Sequence, residues 1–264
     1  MLRSLRSNWP EYLMEGAELG LFMILAGFFA TLFYSPESPA MAFLPAKVRG
    51  VLMGLAMGGS AIAIIYSPWG KRSGAHFNPA VTLAFYRLGK LAPWDAFFYV
   101  VAQFIGGLIG VFLVAVALGE AFTNIPVNYI VTVPGIWHWP GALVTEALLA
   151  FSLMLMVLVV SNHPKLHQLT GVFAGILVAL FVTVAAPISG MSINPARTFA
   201  SALPAQVWTG FWIYYFVPPL AMLLAAELYL QVSRSQPREI CGKLCPNTAT
   251  RCICTDCPCQ DLSP

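Results

Sequence analysis

The chain has 264 residues, of which 58% are hydrophobic and only 9% are charged, and its formal net charge is +3 at pH 7. With a mean hydropathy of +0.75, there are too few charges to cover a water-soluble fold, so the composition excludes a soluble domain and reads as an integral membrane protein. The small positive charge is not gathered into a basic face, so nucleic acid is not an expected partner.

Six apolar runs follow in chain order: Tyr12 to Tyr34, Val48 to Tyr66, Trp94 to Leu118, Gly141 to Val160, Leu169 to Ala186 and Trp208 to Val232. Each is close to the roughly 20 residues that a helix needs to cross a hydrocarbon core of about 30 Å. The first is too long for a cleaved signal peptide and keeps Glu15 and Glu18, so it is expected to remain as a spanning helix. If the N-terminus is cytoplasmic, the inside collects eleven of the fourteen Lys and Arg residues. Only Lys47 and Arg49 fall outside, and Arg197 is set apart. Both termini are therefore expected in the cytoplasm, and Glu120 to Trp139, which has no Lys or Arg, as an external loop.

Between the second and third runs stands Ser73-Gly-Ala-His-Phe-Asn78-Pro79-Ala80, continuing to Phe85. Between the fifth and sixth stands Ser189-Gly-Met-Ser-Ile-Asn194-Pro195-Ala196-Arg197-Thr-Phe199. In each, Asn can cap free backbone N–H groups and Pro at the first helical position loses no hydrogen bond, so a helix should start there. About ten apolar residues follow, roughly 15 Å of helix, enough to reach half-way through the membrane. Three spans per half reverse the polarity of the second half, so the two loops enter from opposite faces as an inverted repeat. Non-helical backbone at that depth survives where protein buries it or water solvates it. The expected fold is thus an all-α integral membrane protein with six transmembrane helices and two re-entrant half-helices.

These paired motifs, each preceded by Ser-Gly, with Arg197 directly after the second, resemble those of the aquaporins, the major intrinsic protein family of water and small-solute channels. The resemblance covers about residues 11 to 232, with repeats at about 11–118 and 139–232. It implies a channel domain over 1–232 and leaves a Cys-rich cytoplasmic tail at 233–264. It further implies a homotetramer in the cell membrane, with one pore per subunit, a membrane-lipid environment, no enzymatic activity and no cofactor required for transport. Asn78 and Asn194 would offer amide donors at the pore centre, where two helix N-termini point, so that water passes while ions and protons meet an unfavourable field.

By the same resemblance, Met57, Val182, Met191 and Arg197 form the selectivity constriction, with Gly58 the alternative to Met57 because the loop Ser67 to Ser73 is one residue longer than in familiar relatives. Water-selective relatives place His where Val182 stands and an aromatic on the second helix. A filter with one polar wall and soft apolar walls would obstruct ammonia, urea, hydrogen peroxide, glycerol or metalloid acids less. Thr198 argues against a glycerol specialist, since glycerol channels typically carry Asp there. Water is the favoured permeant, small neutral solutes the alternative. A low-conductance structural membrane protein and a proton-coupled transporter using Glu18 or Glu146 are rivals from other classes.

Glu18 and Glu146 are read as structural intramembrane carboxylates that accept hydrogen bonds from the re-entrant loops, and Gln103 as a tie between helices. His76 lines a pore mouth or is a neutral, bonded loop residue. All six cysteines follow the last span: Cys241, Cys245, Cys252, Cys254, Cys257 and Cys259. On the cytoplasmic side structural disulfides are disfavoured, and this spacing reads as a thiolate cluster able to hold zinc or another thiophilic metal. The Pro-rich setting suggests a tail with little fold until metal binds. S-acylation, a thiol sensor or a tail without a role are the competing readings.

Overall fold

In a computed structural model, which describes residues 1–233, 240–247 and 249–255, the described residues form eleven α-helices and no strand. They are α1 (Leu2–Tyr34), α2 (Pro39–Phe43), α3 (Ala46–Tyr66), α4 (Pro68–Ser73), α5 (Pro79–Arg87), α6 (Pro93–Leu118), α7 (Glu120–Thr123), α8 (His138–Ser161), α9 (Thr170–Ser189), α10 (Pro195–Ala205) and α11 (Phe211–Ser233). Six of them, α1, α3, α6, α8, α9 and α11, are long and apolar enough to cross a membrane. They match the six apolar runs closely, except that α1 begins ten residues before Tyr12. Hydropathy misses that start because it carries Arg3 and Arg6, yet Leu and Arg are good helix formers.

Helix packing repeats itself between the two halves. α1 packs on α6 as α8 packs on α11, α1 on α3 as α8 on α9, and α5 on α11 as α10 on α6, while α3 meets α9 across the centre. Small residues set these approaches. A Cβ on Gly20 would stand 2.8 Å from the Gly106 carbonyl oxygen, and one on Gly58 would collide with the Gly175 carbonyl, so the helix backbones are in near contact. Large apolar side chains such as Leu55, Phe97, Ile109, Leu148, Leu180 and Leu220 stay exposed on the outside. In water such a surface would be an aggregation hazard; in lipid it is the solvent-matched face.

The short helices α5 and α10 end in the middle of this bundle and touch one another. Asn78 and Asn194 are their N-caps, in extended backbone (φ −156° and −146°), with Pro in the first turn of each. The segment Ser67 to Ser73 is itself helical: the Ser67 hydroxyl accepts from Gly70 N at 3.0 Å, Pro68 opens α4, and Gly74 (φ +109°) closes it. The second half reaches its loop directly from α9 through Gly190 (φ +77°).

Candidate functional site

The caps fix how each central amide points. Asn78 Oδ1 accepts from Ala80 N at 2.9 Å, and Asn194 Oδ1 accepts from Ala196 N and Arg197 N, both at 3.1 Å. With oxygen turned into the helix, each Nδ2 must face outward. Asn78 Nδ2 donates to the Ile193 carbonyl and Asn194 Nδ2 to the Phe77 carbonyl, each at 2.8 Å, so the two loops are laced together by reciprocal bonds. An amide carries two N–H groups; one of each is spent on the opposite loop, and both Asn residues line the same cavity. That cavity, of about 380 Å3, runs past His76 and Phe77 on one side and Met191 and Arg197 on the other. Two helix N-termini contribute partial positive charge at the same place.

Buried carboxyl groups hold the backbone N–H groups of both loops. Glu146 accepts from Ser192 N (3.0 Å), Ile193 N (2.6 Å) and Ser189 Oγ (2.8 Å). In the first half the work is divided: Glu15 accepts from His76 N (2.9 Å) and Phe77 N (2.7 Å), while Glu18 accepts from Ser73 Oγ (2.8 Å). The expectation that Glu18 holds the loop backbone is therefore corrected: Glu15 does, and Glu18 holds the hydroxyl before it. The two lie three residues apart on one helix face, so spacing alone does not choose between them. Gln103 donates to Glu15 (2.8 Å) and Thr82 (3.0 Å), tying α6 to both α1 and α5 as expected. A pair that sequence reading missed completes the cradle. Tyr99 Oη donates to the Ser73 carbonyl (2.7 Å) and Tyr214 Oη to the Ser189 carbonyl (2.6 Å), at nearly equal spacings of 26 and 25 residues, the signal that could have found them.

Met57, Val182, Met191 and Arg197 all line the cavity. Gly58 turns instead toward α9, where a Cβ would collide with the Gly175 carbonyl oxygen, so of the two open candidates Met57 is the one facing inward. Met53, one turn away, also lines the cavity and was not anticipated. Arg197 donates through Nη1 to the hydroxyl of Thr132. Thr132 belongs to the loop after α7, which is held by Gly135 N on the Ile188 carbonyl (2.9 Å) and brings Val127, Ile130 and Val131 to the cavity wall. The guanidinium is thus the charged group in an otherwise apolar wall made by Met57, Val182 and Met191.

At the opposite mouth His76 both lines the cavity and is buried, stacked on Phe85 with ring centroids 4.8 Å apart. Its Nε2 lies 3.0 Å from the Gly242 carbonyl. Part of the tail therefore folds back onto the channel: Ile240, Cys241, Lys243, Leu244 and Cys245 are all buried. This departs from a tail that orders only on metal, because hydrogen bonds from the channel order it instead. Among the described residues no three His, Cys, Asp or Glu side chains group as a metal site. Cys241 is disulfide-bonded, against the expectation of a thiolate cluster, and Cys245 is a buried free thiol. Cys252 and Cys254 are described and partly exposed, whereas Cys257 and Cys259 lie outside the described residues.

Six helices long and apolar enough to cross a membrane, around two half-helices whose Asn caps line one cavity, define a multi-span membrane protein. The family model of the major intrinsic proteins matches residues 8–229, and the chain belongs to that family. A "probable aquaporin NIP-type" of Nicotiana alata is 35% identical over 173 residues, 65% of this chain and 62% of the relative. The chain thus spans less than two thirds of the length of that plant relative. A "probable aquaporin AqpM" of Archaeoglobus fulgidus is 35% identical over 184 residues, covering 67% of this chain and 74% of the relative. Among solved structures, the aquaglyceroporin from Plasmodium falciparum superposes with a TM-score of 0.69 at 20% identity, over 86% of this chain and 97% of that one. That likeness speaks for the fold.

Proposed function

We propose that this chain is a passive channel for water that rejects ions and protons, and that Met57, Val182, Met191 and Arg197 are its selectivity constriction. The observation that carries the reading is the central amide pair. Each Asn is locked with its nitrogen toward the cavity, so a passing water turns its oxygen to both and its neighbours on either side point oppositely. Such a bipolar order breaks a proton wire, and the two helix N-termini add a field that opposes cations. Arg197 repels cations a second time. A homotetramer in the cell membrane, with both termini cytoplasmic, agrees with the exposed apolar faces and with eleven of fourteen basic residues falling on one side.

A second reading has its own observation. Met57, Val182 and Met191 offer apolar walls beside a single donor group, which suits urea, ammonia or hydrogen peroxide as well as water. Stopped-flow light scattering on proteoliposomes tests both, using the full chain and a chain ending at Ser233. Water flux above protein-free vesicles with an impermeant osmolyte, and no re-swelling in urea or glycerol, supports the water channel. Fast re-swelling makes the apolar constriction a solute filter, and Arg197→Val should then raise cation leak. No flux from either chain sinks the channel assignment.

A further inference from the structure

We propose that the C-terminal residues 240–247 and 249–255 form an autoinhibitory plug, which closes the mouth beside His76 by placing Leu244 in the path of the permeant. The proposal rests on the channel reading above. Leu244 lines the same cavity as Asn78, Asn194 and Arg197, and only 5% of its surface remains exposed. Its backbone N–H donates to the Gly74 carbonyl at 2.9 Å. The preceding Gly242 carbonyl faces His76 Nε2 at 3.0 Å, an arrangement in which that nitrogen must be the donor. A single file of water entering here would need the Gly74 oxygen and the His76 nitrogen as partners. The segment takes both and adds an aliphatic side chain, which has nothing to offer a water molecule.

The seating is built from several walls of the mouth at once. Lys243, wholly buried, donates through Nζ to the Lys71 carbonyl at the end of α4 (2.9 Å) and to the Arg251 carbonyl (3.2 Å). A buried ammonium is costly unless bonded, so the segment folds around it rather than trailing through solvent. Cys241 N donates to Asn162 Oδ1 after α8 (2.9 Å), and Thr255 N to the Lys90 carbonyl after α5 (2.9 Å). Arg251 reaches the start of α1, donating to the Ser7 carbonyl at 2.9 Å and standing 3.5 Å from Glu11. Glu11 also pairs with Arg72 of α4 (2.9 Å), so one buried carboxylate joins the plug to the loop that bears Gly74. The connection from α11 lies outside the described residues, and the anchors alone define where the segment sits.

Three proteins decide the matter in proteoliposomes at equal reconstituted density: the full chain, a chain ending at Ser233, and full-length Gly242→Leu. A Cβ at Gly242 would stand 2.7 Å from Cys254 Sγ and 3.0 Å from Lys90 Cβ, so a larger side chain unseats the segment without removing it. Osmotic water permeability per channel is expected to rise about tenfold on truncation, the ratio for a seated state populated about 90% of the time, and to rise also in Gly242→Leu. Equal permeability in all three, above protein-free vesicles, overturns the plug while the channel reading stands. No flux from any of them, with intact oligomers by size exclusion, overturns the channel reading itself. Should the shortened chain fail to fold, unchanged flux in Gly242→Leu is by itself the refuting result.

Discussion

Replacing Glu146 separates a structural carboxyl from a transporting one. In Glu146→Leu three buried donors lose their acceptor: Ser192 N, Ile193 N and Ser189 Oγ. Each buried donor left unpaired costs about 1–3 kcal/mol, so the loss is about 3–9 kcal/mol, against a total stability of about 5–15 kcal/mol for a typical domain. Glu146→Gln is the informative partner. Its remaining oxygen can keep Ser189 Oγ and Ser192 N, while its new NH2 confronts Ile193 N–H, so one donor is lost and the cost falls to about 1–3 kcal/mol. Thermal unfolding of the detergent-solubilised protein should rank wild type above Gln above Leu, and water flux should fall in the same order because Ile193 also accepts from Asn78. The reasoning is refuted if Glu146→Leu melts with wild type. It is refuted equally if Glu146→Gln keeps full stability yet abolishes a pH-dependent flux, the behaviour of a proton-coupled transporter.

Val182→His adds bulk and a ring donor beside Arg197 at the constriction; urea flux in proteoliposomes should drop about tenfold, equivalent to about 1.4 kcal/mol of added barrier, with water flux retained. Gly58→Leu drives a side chain into the Gly175 carbonyl and Ala179 and should cost at least about 1–3 kcal/mol in thermal unfolding, whereas Gly59→Leu, with nothing within 4 Å of its Cβ, should melt like wild type. Tyr214→Phe removes the donor to the Ser189 carbonyl at 2.6 Å and should lower stability by about 1–3 kcal/mol, as should Tyr99→Phe at Ser73.

The amino-acid sequence by itself determined what local chemistry can determine. Six spans were legible because burying a helix in lipid requires uninterrupted apolar length, and their ends fall within a few residues of the helices, α1 apart. The two half-helices were legible because Asn-Pro starts a helix whatever surrounds it, and here both Asn side chains are the caps. Tertiary structure decided everything that depends on which residue of one helix meets a loop far away in the chain. Glu15 rather than Glu18 holds His76 and Phe77, across 61 and 62 positions, because the depth of α1 against that loop is set by its packing on α6. Met57 rather than Gly58 faces the cavity because one residue is about 100° of helix rotation and the small face is spent on α9. Thr132 as the partner of Arg197, and Leu244 in the mouth 170 residues beyond Gly74, left no local mark at all. Neither contact has a spacing or propensity of its own: each exists only because the bundle brings two distant backbones together.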